Sequence, residues 1–559
     1  MDDLVVTVEQ GKVRGKTSVD YEGGTYYSFL GIPYARSPVG EFRFKAPQPV
    51  ESWTGVRDCT KEGNECPQLH MFFNYYVGKE EDCLNLSVHT REINPNVLSP
   101  VMVWIHGGGF VYGSNTSEMF GPDYLMSQNI VLVLINYRIG VLGFLSLDDT
   151  SLGVPGNNGL KDMVQGLKWV QKNIKQFGGD PNNVTIFGES AGSASVHYLL
   201  LSSMTKGLFH KAICQSGVSL NSWAIGKSNG LTIAKYLGYK ETDEREILEK
   251  LKTENIKNIV NAQFKFPDHL SAKDIRPFVP VIEKVSTEEA FLTEHPLKIL
   301  EAGTFNKVPT MIGYCSEEGI FYEAVRRTKF VPLPNNLLTE IPYDLDVNES
   351  SDNQKELNDK LKEFYFFNED VKEENVNHLY TLKTDNCFLY GIAKAVLIQT
   401  SISNEPVFFY RMSLEGPLNL YKRVCTAKHL KSLFLCYFLM KNTPLKGFFN
   451  SFSNIIPNKT INGVCHADDL GYFFKMFFSP PKIEKDSKED FYIKRFLKLW
   501  TNFAKYGNPT PEMDELFNQT TWKAVSLDTV NMLDIGEKLE CIPFPDINRV
   551  KFWDTIYGR

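Results

Sequence analysis

The sequence lacks a long apolar stretch without charged residues. Its longest apolar region, Ile130 to Leu147, contains Asn136 and Arg138 and predicts a buried strand with a loop, because a membrane span needs about 20 predominantly apolar residues. The first residues show no basic start followed by an apolar stretch and a small-residue cleavage site. We therefore expect an intracellular protein, cytoplasmic or peripherally associated with lipid, and a secreted one if the N-terminus is truncated.

The chain also lacks the patterns of several common binding sites. No pair of cysteine or histidine residues has the spacing of a zinc site, so we expect neither a metal nor a cofactor. Gly226-Lys227-Ser228 matches the end of a phosphate-binding loop, but Asn221 occupies the position of the leading glycine. The formal net charge of −7 gives no general basic surface for nucleic acid. The expected partners are therefore small molecules, and the oligomeric state is left open.

Repeats, long Gly/Ser linkers and low-complexity tracts are missing as well, although the chain has 559 residues, of which 42% are hydrophobic. Strand-like apolar runs alternate with helix-like segments such as Leu160 to Phe177, which predicts a mostly parallel α/β sheet covered by helices on both faces. Folds of this kind and size commonly form one domain, so we expect a single domain over residues 1–559. Insertions are expected near residues 348–374, as an exposed acidic helix, and near residues 424–462.

One short motif of the chain predicts a nucleophile. Gly188-Glu189-Ser190-Ala191-Gly192 fits the pattern G-x-S-x-G and directly follows the strand-like run Val184 to Phe187. A strand that turns sharply into a helix at a serine exposes the hydroxyl, and the two glycines allow the turn without a Cβ clash. With a helix expected from Gly192 to Leu201, Ser190 is predicted to attack a carbonyl carbon. The alternative is an ordinary glycine-rich turn.

A second glycine-rich loop, His106-Gly107-Gly108-Gly109-Phe110, follows the apolar run of residues 101–105. Successive glycines expose backbone N–H groups that an anionic oxygen can approach. Acyl transfer needs such donors, because the tetrahedral intermediate carries its negative charge on the former carbonyl oxygen. We predict that the N–H groups of Gly108, Gly109 and Ala191 form this oxyanion hole. The alternative is a flexible glycine connector.

A serine nucleophile needs a base, which is usually a histidine oriented by a carboxylate. The chain order serine, acid, histidine is typical of an elbow serine of this kind, so only histidines well beyond Ser190 qualify. His466 follows a glycine turn and precedes the aromatic run Tyr472 to Phe474, which suits a loop at the edge of a buried site. The other late histidines lie among charged, helix-like residues: His269, His295, His378 and His429.

The acid is expected in the exit loop of a strand between the serine and the histidine. Residues Val308 to Tyr314 predict such a strand, and the loop that follows contains Glu317 and Glu318. Adjacent side chains point apart, so only one of the two glutamates can face the histidine. These residues alone leave the choice open.

Further motifs, spread over nearly the whole chain, together resemble the type-B carboxylesterase/cholinesterase family. They are Gly31-Ile32-Pro33-Tyr34-Ala35, Pro38-Val39-Gly40, Arg43-Phe44, Glu81-Asp82-Cys83-Leu84-Asn85-Leu86, Asn136-Tyr137-Arg138, Gly143-Phe144, Gly156-Asn157-Asn158-Gly159-Leu160-Lys161-Asp162 and Phe177-Gly178-Gly179-Asp180-Pro181. The His-Ala-Asp-Asp sequence that starts at His466 and the absence of a signal sequence are most similar to insect-type α-carboxylesterases.

The resemblance implies an α/β-hydrolase fold and assigns several further residues. It places the acid at Glu318, directly before a glycine, and Glu189 and Ser216 in the shell around the catalytic groups. It also implies a disulfide between Cys66 and Cys83. The second short-range disulfide of the family is missing, because residues 221–260 contain no cysteine, and we expect mostly free thiols elsewhere.

The function that the resemblance implies is that of a serine carboxylesterase. Such an enzyme hydrolyses uncharged, hydrophobic carboxylic esters through an acyl-enzyme, and organophosphates and carbamates are expected to modify Ser190, in detoxification or sequestration. The alternatives are a cholinesterase-like or otherwise specialised ester hydrolase, and a non-catalytic binding member of the same fold. Every catalytic position is filled, which favours the enzyme.

Aromatic residues separate the possible substrates. Cholinesterases hold a quaternary ammonium over an aromatic face, usually a tryptophan in the loop before the cysteine that matches Cys83. The corresponding loop of this chain has no tryptophan but contains Phe72, Phe73, Tyr75 and Tyr76. Juvenile hormone esterases typically carry glutamine in place of Glu189. We predict Trp223 and Phe120 as pocket walls for an uncharged ester, and core packing of both is the alternative.

Residues 422–459 form a basic region in a protein that is acidic overall. No acidic residue lies between Glu415 and Asp468, whereas lysines and apolar runs alternate there. A basic, aromatic-rich amphipathic segment is expected to lie on an anionic membrane or lipid-droplet surface and to deliver esters to the site. The alternative is a helix that lines the pocket and exposes its lysines to water.

Overall fold

The computed structural model describes residues 4–71, 75–78, 81–265, 276–285, 289–329, 331–345, 351–427 and 461–558. The strands of the described residues are β1 (Val5–Val8), β2 (Gly11–Arg14), β3 (Lys16–Val19), β4 (Thr25–Pro33), β5 (Val56–Asp58), β6 (Gln68–Leu69), β7 (Tyr76–Val77), β8 (Asn85–Thr90), β9 (Ser99–Ile105), β10 (Val131–Ile135), β11 (Gly179–Glu189), β12 (Lys211–Gln215), β13 (Thr310–Cys315), β14 (Val407–Met412), β15 (Asn531–Ile535) and β16 (Leu539–Pro543).

Eleven of these strands form one sheet, in the order β16-β15-β14-β13-β12-β11-β9-β10-β8-β4-β3. The seven strands from β15 to β10 in this order are mutually parallel, whereas β16 at one edge and β8, β4 and β3 at the other pair antiparallel with their neighbours. The predicted mostly parallel sheet is therefore confirmed. Two smaller sheets join β1, β2 and β5, and β6 with β7.

The α-helices of the described residues lie between these strands in the sequence, except the last, which follows β16. They are α1 (Ser117–Phe120), α2 (Gly140–Phe144), α3 (Asn158–Asn173), α4 (Ala191–Leu201), α5 (Gly230–Leu237), α6 (Glu244–Thr253), α7 (Ile256–Gln263), α8 (Pro296–Ala302), α9 (Phe321–Lys329), α10 (Ser351–Phe366), α11 (Val376–Thr384), α12 (Tyr390–Ile402), α13 (Leu420–Thr426), α14 (Lys488–Tyr506) and α15 (Ile547–Ile556). No helix in this part of the chain is long and apolar enough to cross a membrane.

The central strands are buried on both faces, and this explains their nearly continuous apolar sequences. Every residue of β10 is buried, as are residues 101–105 of β9, a pattern typical of parallel strands that helices cover on both sides. Side chains alternate along β9, so that Val103 contributes to one core and Trp104 to the other. Helices α3 and α4 pack in the first core, and α14 packs in the second.

Most of the first predicted insertion lies within the described residues, and most of the second lies outside them. Helix α10, Ser351–Phe366, lies within the predicted acidic insertion, where Leu361 and Tyr365 are buried and many charged side chains are exposed. Of the second insertion, residues 428–460 lie outside the described residues. That the chain is a single domain stays a prediction, although strands from both its N-terminal and C-terminal parts share one sheet.

Candidate active site

Ser190 lies at a sharp turn between β11 and α4, on the carboxyl-terminal side of the sheet. Its backbone has φ 59° and ψ −123°, a left-handed conformation that costs energy for a residue with a side chain. The flanking glycines are required by close packing against the end of β9: a Cβ at Gly188 would lie 2.6 Å from the carbonyl oxygen of Ile105, and one at Gly192 would clash with the same oxygen. The structure thus forms the strand–turn–helix arrangement that the G-x-S-x-G sequence predicts.

The loop of residues 106–110 packs directly on this turn. A Cβ added at Gly107 would lie 3.0 Å from the Cβ of Ser190, and Gly108 and Gly109 have φ values of 106° and 61°. The N–H groups of Gly108, Gly109 and Ala191 donate to no acceptor within the described residues. Three backbone donors therefore lie beside the serine and are able to bind an anionic oxygen.

Three side chains to which the sequence assigned no role contact the glycine loop and the residues after it. The His106 ring stacks on Tyr137 with 4.3 Å between ring centroids, and the Tyr137 hydroxyl donates to the backbone oxygen of His106 at 2.8 Å. Burial lowers the pKa of His106 to about 4, which keeps this ring neutral. Gln68 binds the N–H and the carbonyl oxygen of Gly113 at 2.7 and 2.8 Å. The position of His106 directly before the glycine run was the available signal.

The structure closes a disulfide between Cys66 and Cys83, the two cysteines that the family resemblance pairs. Their Cα atoms are 5.0 Å apart, and the bond joins the segment that carries Gln68 to the start of β8. The disulfide therefore restrains the segment whose Gln68 side chain binds Gly113, close to the glycine loop.

His466 and Glu318 meet at the carboxyl end of β13, although they are 148 positions apart in the sequence. Nδ1 of His466 lies 2.6 Å from Oε2 of Glu318, and the other oxygen of Glu318 accepts the N–H of Cys315 at 2.7 Å. Glu318 is fully buried and His466 is 6% exposed. Nε2 of His466 lies 3.1 Å from Oε1 of Glu189, so this nitrogen faces the turn that carries Ser190.

Glu317, the second glutamate of the exit loop, points into another environment. Its carboxylate accepts hydrogen bonds from the hydroxyls of Thr381 and Thr384 at 3.1 to 3.3 Å. Burial raises the pKa of Glu317 to about 7, and Arg549 partly opposes that rise. The geometry therefore joins Glu318, and not Glu317, to the imidazole.

The charges of the site shift the protonation of its members. Burial lowers the pKa of His466, but the carboxylates of Glu189 and Glu318 more than offset this and raise the pKa to about 9. Burial raises the pKa of Glu189 to about 8, and the neighbouring His466 opposes the rise. The imidazole is consequently a stronger base than a histidine in water.

Ser216 and Asp469 lie near Glu318 and His466. Ser216 has φ 60°, and its hydroxyl lies 3.9 Å from the sulfur of Cys315. Asp469 accepts a hydrogen bond from Gln215 at 2.6 Å, and burial raises its pKa to about 6. Asp469 was not assigned a role from the sequence, although the His-Ala-Asp-Asp motif that contains it was visible.

Trp223 connects to the histidine through a residue that the sequence did not reveal. The indole N–H of Trp223 donates to the carbonyl oxygen of Cys387 at 2.7 Å, and its ring centroid lies 5.9 Å from that of Phe388. The Phe388 ring lies 4.6 Å from the ring of His466. Phe388 belongs to a π-helical turn, Asp385–Leu389, that is almost 200 positions away in the sequence from Ser190. No local pattern predicts such a contact.

This arrangement agrees with the comparisons to known proteins. The model of the carboxylesterase family matches residues 2–553 of the chain. The chain belongs to the carboxylesterase family. Esterase B1 of Culex pipiens is 32% identical over 575 residues, covering 100% of this chain and 98% of that protein. The juvenile hormone esterase of Tribolium castaneum is 33% identical and covers 98% of this chain and 93% of that protein.

A solved structure is similar over the full length of this carboxylesterase. The crystal structure of juvenile hormone esterase from Manduca sexta, with OTFP covalently attached, superposes with a TM-score of 0.83 at 29% identity and covers 100% of both chains. The protein is thus an α/β-hydrolase and a carboxylic ester hydrolase, as the sequence predicts.

In this carboxylesterase Phe120 has the contacts of a core residue. Its ring packs against Trp104 and Phe474, each with 5.3 Å between centroids. Trp104 lies on one face of the sheet, and Trp223 belongs to the core of the other face. A role for Phe120 as a pocket wall stays a prediction that these contacts do not support.

The predicted lipid-contact segment of the carboxylesterase is described only at its start. Lys422 is buried, where its ammonium group donates to Glu415 and to the carbonyl oxygen of Gly463. Residues 428–459 lie outside the described residues, as do Phe72 and Phe73 of the loop before Cys83. Lys422 is therefore engaged within the protein and adds no charge to a lipid-facing surface.

Proposed function

We propose that the chain hydrolyses uncharged, hydrophobic carboxylic esters through an acyl-enzyme on Ser190. His466 serves as the base, Glu318 orients it, and the N–H groups of Gly108, Gly109 and Ala191 bind the oxyanion. The observation that carries this proposal is the 2.6 Å hydrogen bond between Glu318 and Nδ1 of His466, because it leaves Nε2 turned toward the elbow.

The proposed reaction proceeds in two halves. Nε2 of His466 accepts the proton of Ser190 as the serine oxygen bonds to the ester carbonyl carbon, and the same proton then passes to the leaving alcohol. In the second half, His466 takes a proton from water, the hydroxide attacks the acyl-enzyme, and Ser190 recovers its proton. The carboxylic acid product then leaves. The donors beside Ser190 support both tetrahedral intermediates, and losing one such donor typically costs about 10²- to 10³-fold in rate.

Hydrophobic residues around the base support an apolar substrate. Trp223 and Phe388 form an aromatic surface that reaches His466. The same covalent chemistry supports modification of Ser190 by organophosphates and carbamates, and the relative from Manduca sexta carries OTFP covalently attached in its crystal structure. Such reactivity would support the proposed part in detoxification or sequestration.

Juvenile hormone ester hydrolysis is the second candidate, because juvenile hormone esterases of two insects are similar to nearly the whole chain. Glu189 stands where that subgroup typically has glutamine, which favours the general carboxylesterase. Choline esters rank behind both, because the loop before Cys83 contains no tryptophan to hold a quaternary ammonium.

A chromogenic ester of a hydrophobic acid tests the proposed function. Rapid mixing should release a burst of one equivalent of alcohol per protein, followed by steady turnover as the acyl-enzyme hydrolyses. An organophosphate should abolish turnover and add its mass to the peptide that contains Ser190, whereas Ser190→Ala should show neither burst nor labelling. A linear release with no labelled serine would refute the proposed acyl-enzyme.

The proposed function also includes contact of residues 422–459 with a lipid surface. Its charges would then come from Lys428, Lys431 and Lys441, since Lys422 is paired inside the protein. Flotation with anionic liposomes should show salt-sensitive binding that weakens when these three lysines become glutamine. Protein that remains unbound at low salt would reduce the segment to a pocket wall.

A further inference from the structure

Arg276 brings a positive charge to the wall of the ester site. A Cβ added at Gly109 would lie 2.8 Å from Nη1 of Arg276, so the guanidinium rests against a glycine of the loop beside Ser190. The guanidinium carbon also lies 6.0 Å from the ring centroid of Trp223. Trp223 in turn lies close to the serine turn, because a Cβ at Gly217 would meet both the Ser190 carbonyl oxygen and the Trp223 ring.

The backbone fixes Arg276 in this place. Its carbonyl oxygen would lie 2.9 Å from a Cβ at Gly226, and the N–H of Gly226 donates to Pro280 at 2.8 Å. These contacts align residues 276–280 with the segment that follows Trp223. The electrostatic influence of Arg276 also reaches Cys387: burial raises the pKa of that thiol to about 11, and Lys383 and Arg276 oppose the rise.

Within the described residues this guanidinium has no carboxylate partner. It makes no hydrogen bond or ion pair there, and Glu340, an acidic residue near Cys387, is paired with Lys383. The ring of Trp223 lies at the outer limit of a cation–π contact, about 6 Å, so it compensates little of the charge. Arg276 is half-buried and keeps its planar set of donors available.

We propose that Arg276 binds an anionic group of the substrate, so that this esterase accepts esters that carry a carboxylate in addition to uncharged ones. A guanidinium fork matches the two oxygens of a carboxylate, and this match distinguishes arginine from lysine. The inference rests on the proposed ester hydrolysis and extends its substrate class. The carboxylate belongs either to the acyl half or to the alcohol half of the ester, and matched substrates distinguish the two.

Two pairs of esters test the inference. Monoethyl adipate and ethyl hexanoate differ by a carboxylate in place of the terminal methyl of the acyl chain, and 4-carboxyphenyl acetate and 4-methylphenyl acetate differ in the same way in the alcohol. Hydrolysis is monitored by titration of the released acid. The measured quantity is the ratio of kcat/KM for the charged ester to kcat/KM for its neutral partner. The variants are Arg276→Gln, which removes the charge, and Arg276→Lys, which keeps the charge without the fork.

In one of the two pairs, Arg276→Gln should lower the ratio by about tenfold or more, the range of a charge-assisted hydrogen bond, and Arg276→Lys should lower it less. Added salt should reduce the ratio of the wild-type protein. The matched control is Arg245→Gln on α6, an exposed arginine whose contacts are Asp149 and Ser151, and it should leave both ratios unchanged.

The outcomes separate the inference from the proposed function. If the wild-type protein cleaves ethyl hexanoate but Arg276→Gln changes neither ratio, the inference is overturned and the ester hydrolase stands. Equal losses for charged and neutral esters would also overturn it, because Arg276 would then act on the oxyanion that all esters share. If the folded wild-type protein, checked by its melting temperature, cleaves none of the four esters, both proposals fail.

Discussion

At the scale of single residues, two buried carboxylates approach one imidazole from opposite sides. Glu318 binds Nδ1 of His466, whereas Glu189 lies 3.1 Å from Nε2 and adjoins Ser190 in sequence. Both raise the pKa of His466, and only the hydrogen-bonded one can fix the orientation and tautomer of the ring. The two glutamates therefore have separable roles in the proposed mechanism.

Replacing Glu189 by glutamine should move the pH profile of ester hydrolysis to lower pH. His466 must be neutral to accept a proton, so kcat/KM falls as pH falls through the pKa of His466. Glu189 helps to raise this pKa to about 9. Loss of its charge should therefore move the acidic limb of the profile, where kcat/KM falls with falling pH, to lower pH by roughly 1–3 units. Profiles of kcat/KM between pH 5 and 10 measure the shift. A limb that stays in place or moves to higher pH would contradict the assigned influence of Glu189.

Glu318→Gln and Glu317→Gln should differ by orders of magnitude in activity. A glutamine amide at position 318 stabilises the wrong tautomer of His466, and comparable changes lower kcat on the order of 10⁴-fold. Glu317 contacts Thr381 and Thr384 instead, and its raised pKa of about 7 makes a neutral glutamine a mild replacement. Steady-state kinetics of both purified variants provide the comparison, and equal losses would remove the assignment of Glu318.

At the scale of secondary-structure elements, a buried ion pair connects the exit of β10 to α3. Arg138 donates from Nε and Nη2 to the two carboxylate oxygens of Asp162 at 2.8 and 2.7 Å, and its backbone N–H also binds Asp162. Both residues are almost fully buried. Burial raises the pKa of Asp162, and Arg138 opposes that rise. The pair therefore links helix α3 to the segment that follows β10.

Asp162→Ala should therefore destabilise the protein by about 3–5 kcal/mol, because it leaves the Arg138 guanidinium buried without its counter-ion. Lys172→Ala is the matched control on the same helix, since Lys172 and its partner Glu9 are 61% and 51% exposed. An exposed pair of this kind contributes at most about 1 kcal/mol. Urea unfolding of the two variants gives the difference, and equal small losses would show that the buried pair is not a main constraint.

Some secondary-structure elements can be predicted from the local sequence, and others cannot. Strands β9, β11 and β13 appear in the sequence as apolar runs, and the glycines of the elbow mark its turn. The π-helical turn Asp385–Leu389 has no such signature, because its place depends on Arg549 binding Asp385 and on Tyr365 donating to the same carboxylate. Phe388 reaches His466 only through this turn.

At the scale of the whole molecule, one sheet collects the site from distant parts of the chain. The glycine loop, Ser190 and Glu318 follow β9, β11 and β13, and their parallel direction brings all three to the same edge. The Cys66–Cys83 disulfide connects the N-terminal third to this edge through Gln68 and Gly113. We therefore expect a change in the stability of the N-terminal region to affect the geometry of the site.

The double variant Cys66→Ser/Cys83→Ser should lose about 3 kcal/mol of unfolding free energy, because the disulfide spans a sequence separation of 17 residues and restricts the unfolded chain. Denaturation of the wild-type protein with a reductant should give a similar loss. Cys541→Ser, a partly exposed free cysteine, should stay within about 0.5 kcal/mol of the wild-type value. A double variant as stable as the wild type would indicate that the disulfide contributes little.

The sequence alone predicted the fold class, which the structure confirms, and it indicated the elbow turn, the glycine loop and His466 as candidate parts of the site, because each depends on backbone rules or chain order that neighbouring residues reveal. It left Glu317 and Glu318 unresolved on residue patterns, since alternation says only that they face apart. The tertiary structure placed Glu318 beside His466 and Glu317 beside Thr381 and Thr384, and it brought Phe388 and Arg276 to the site. These contacts join residues that are at least 64 positions apart in the sequence, and their geometry is fixed only when the helices pack on the complete sheet.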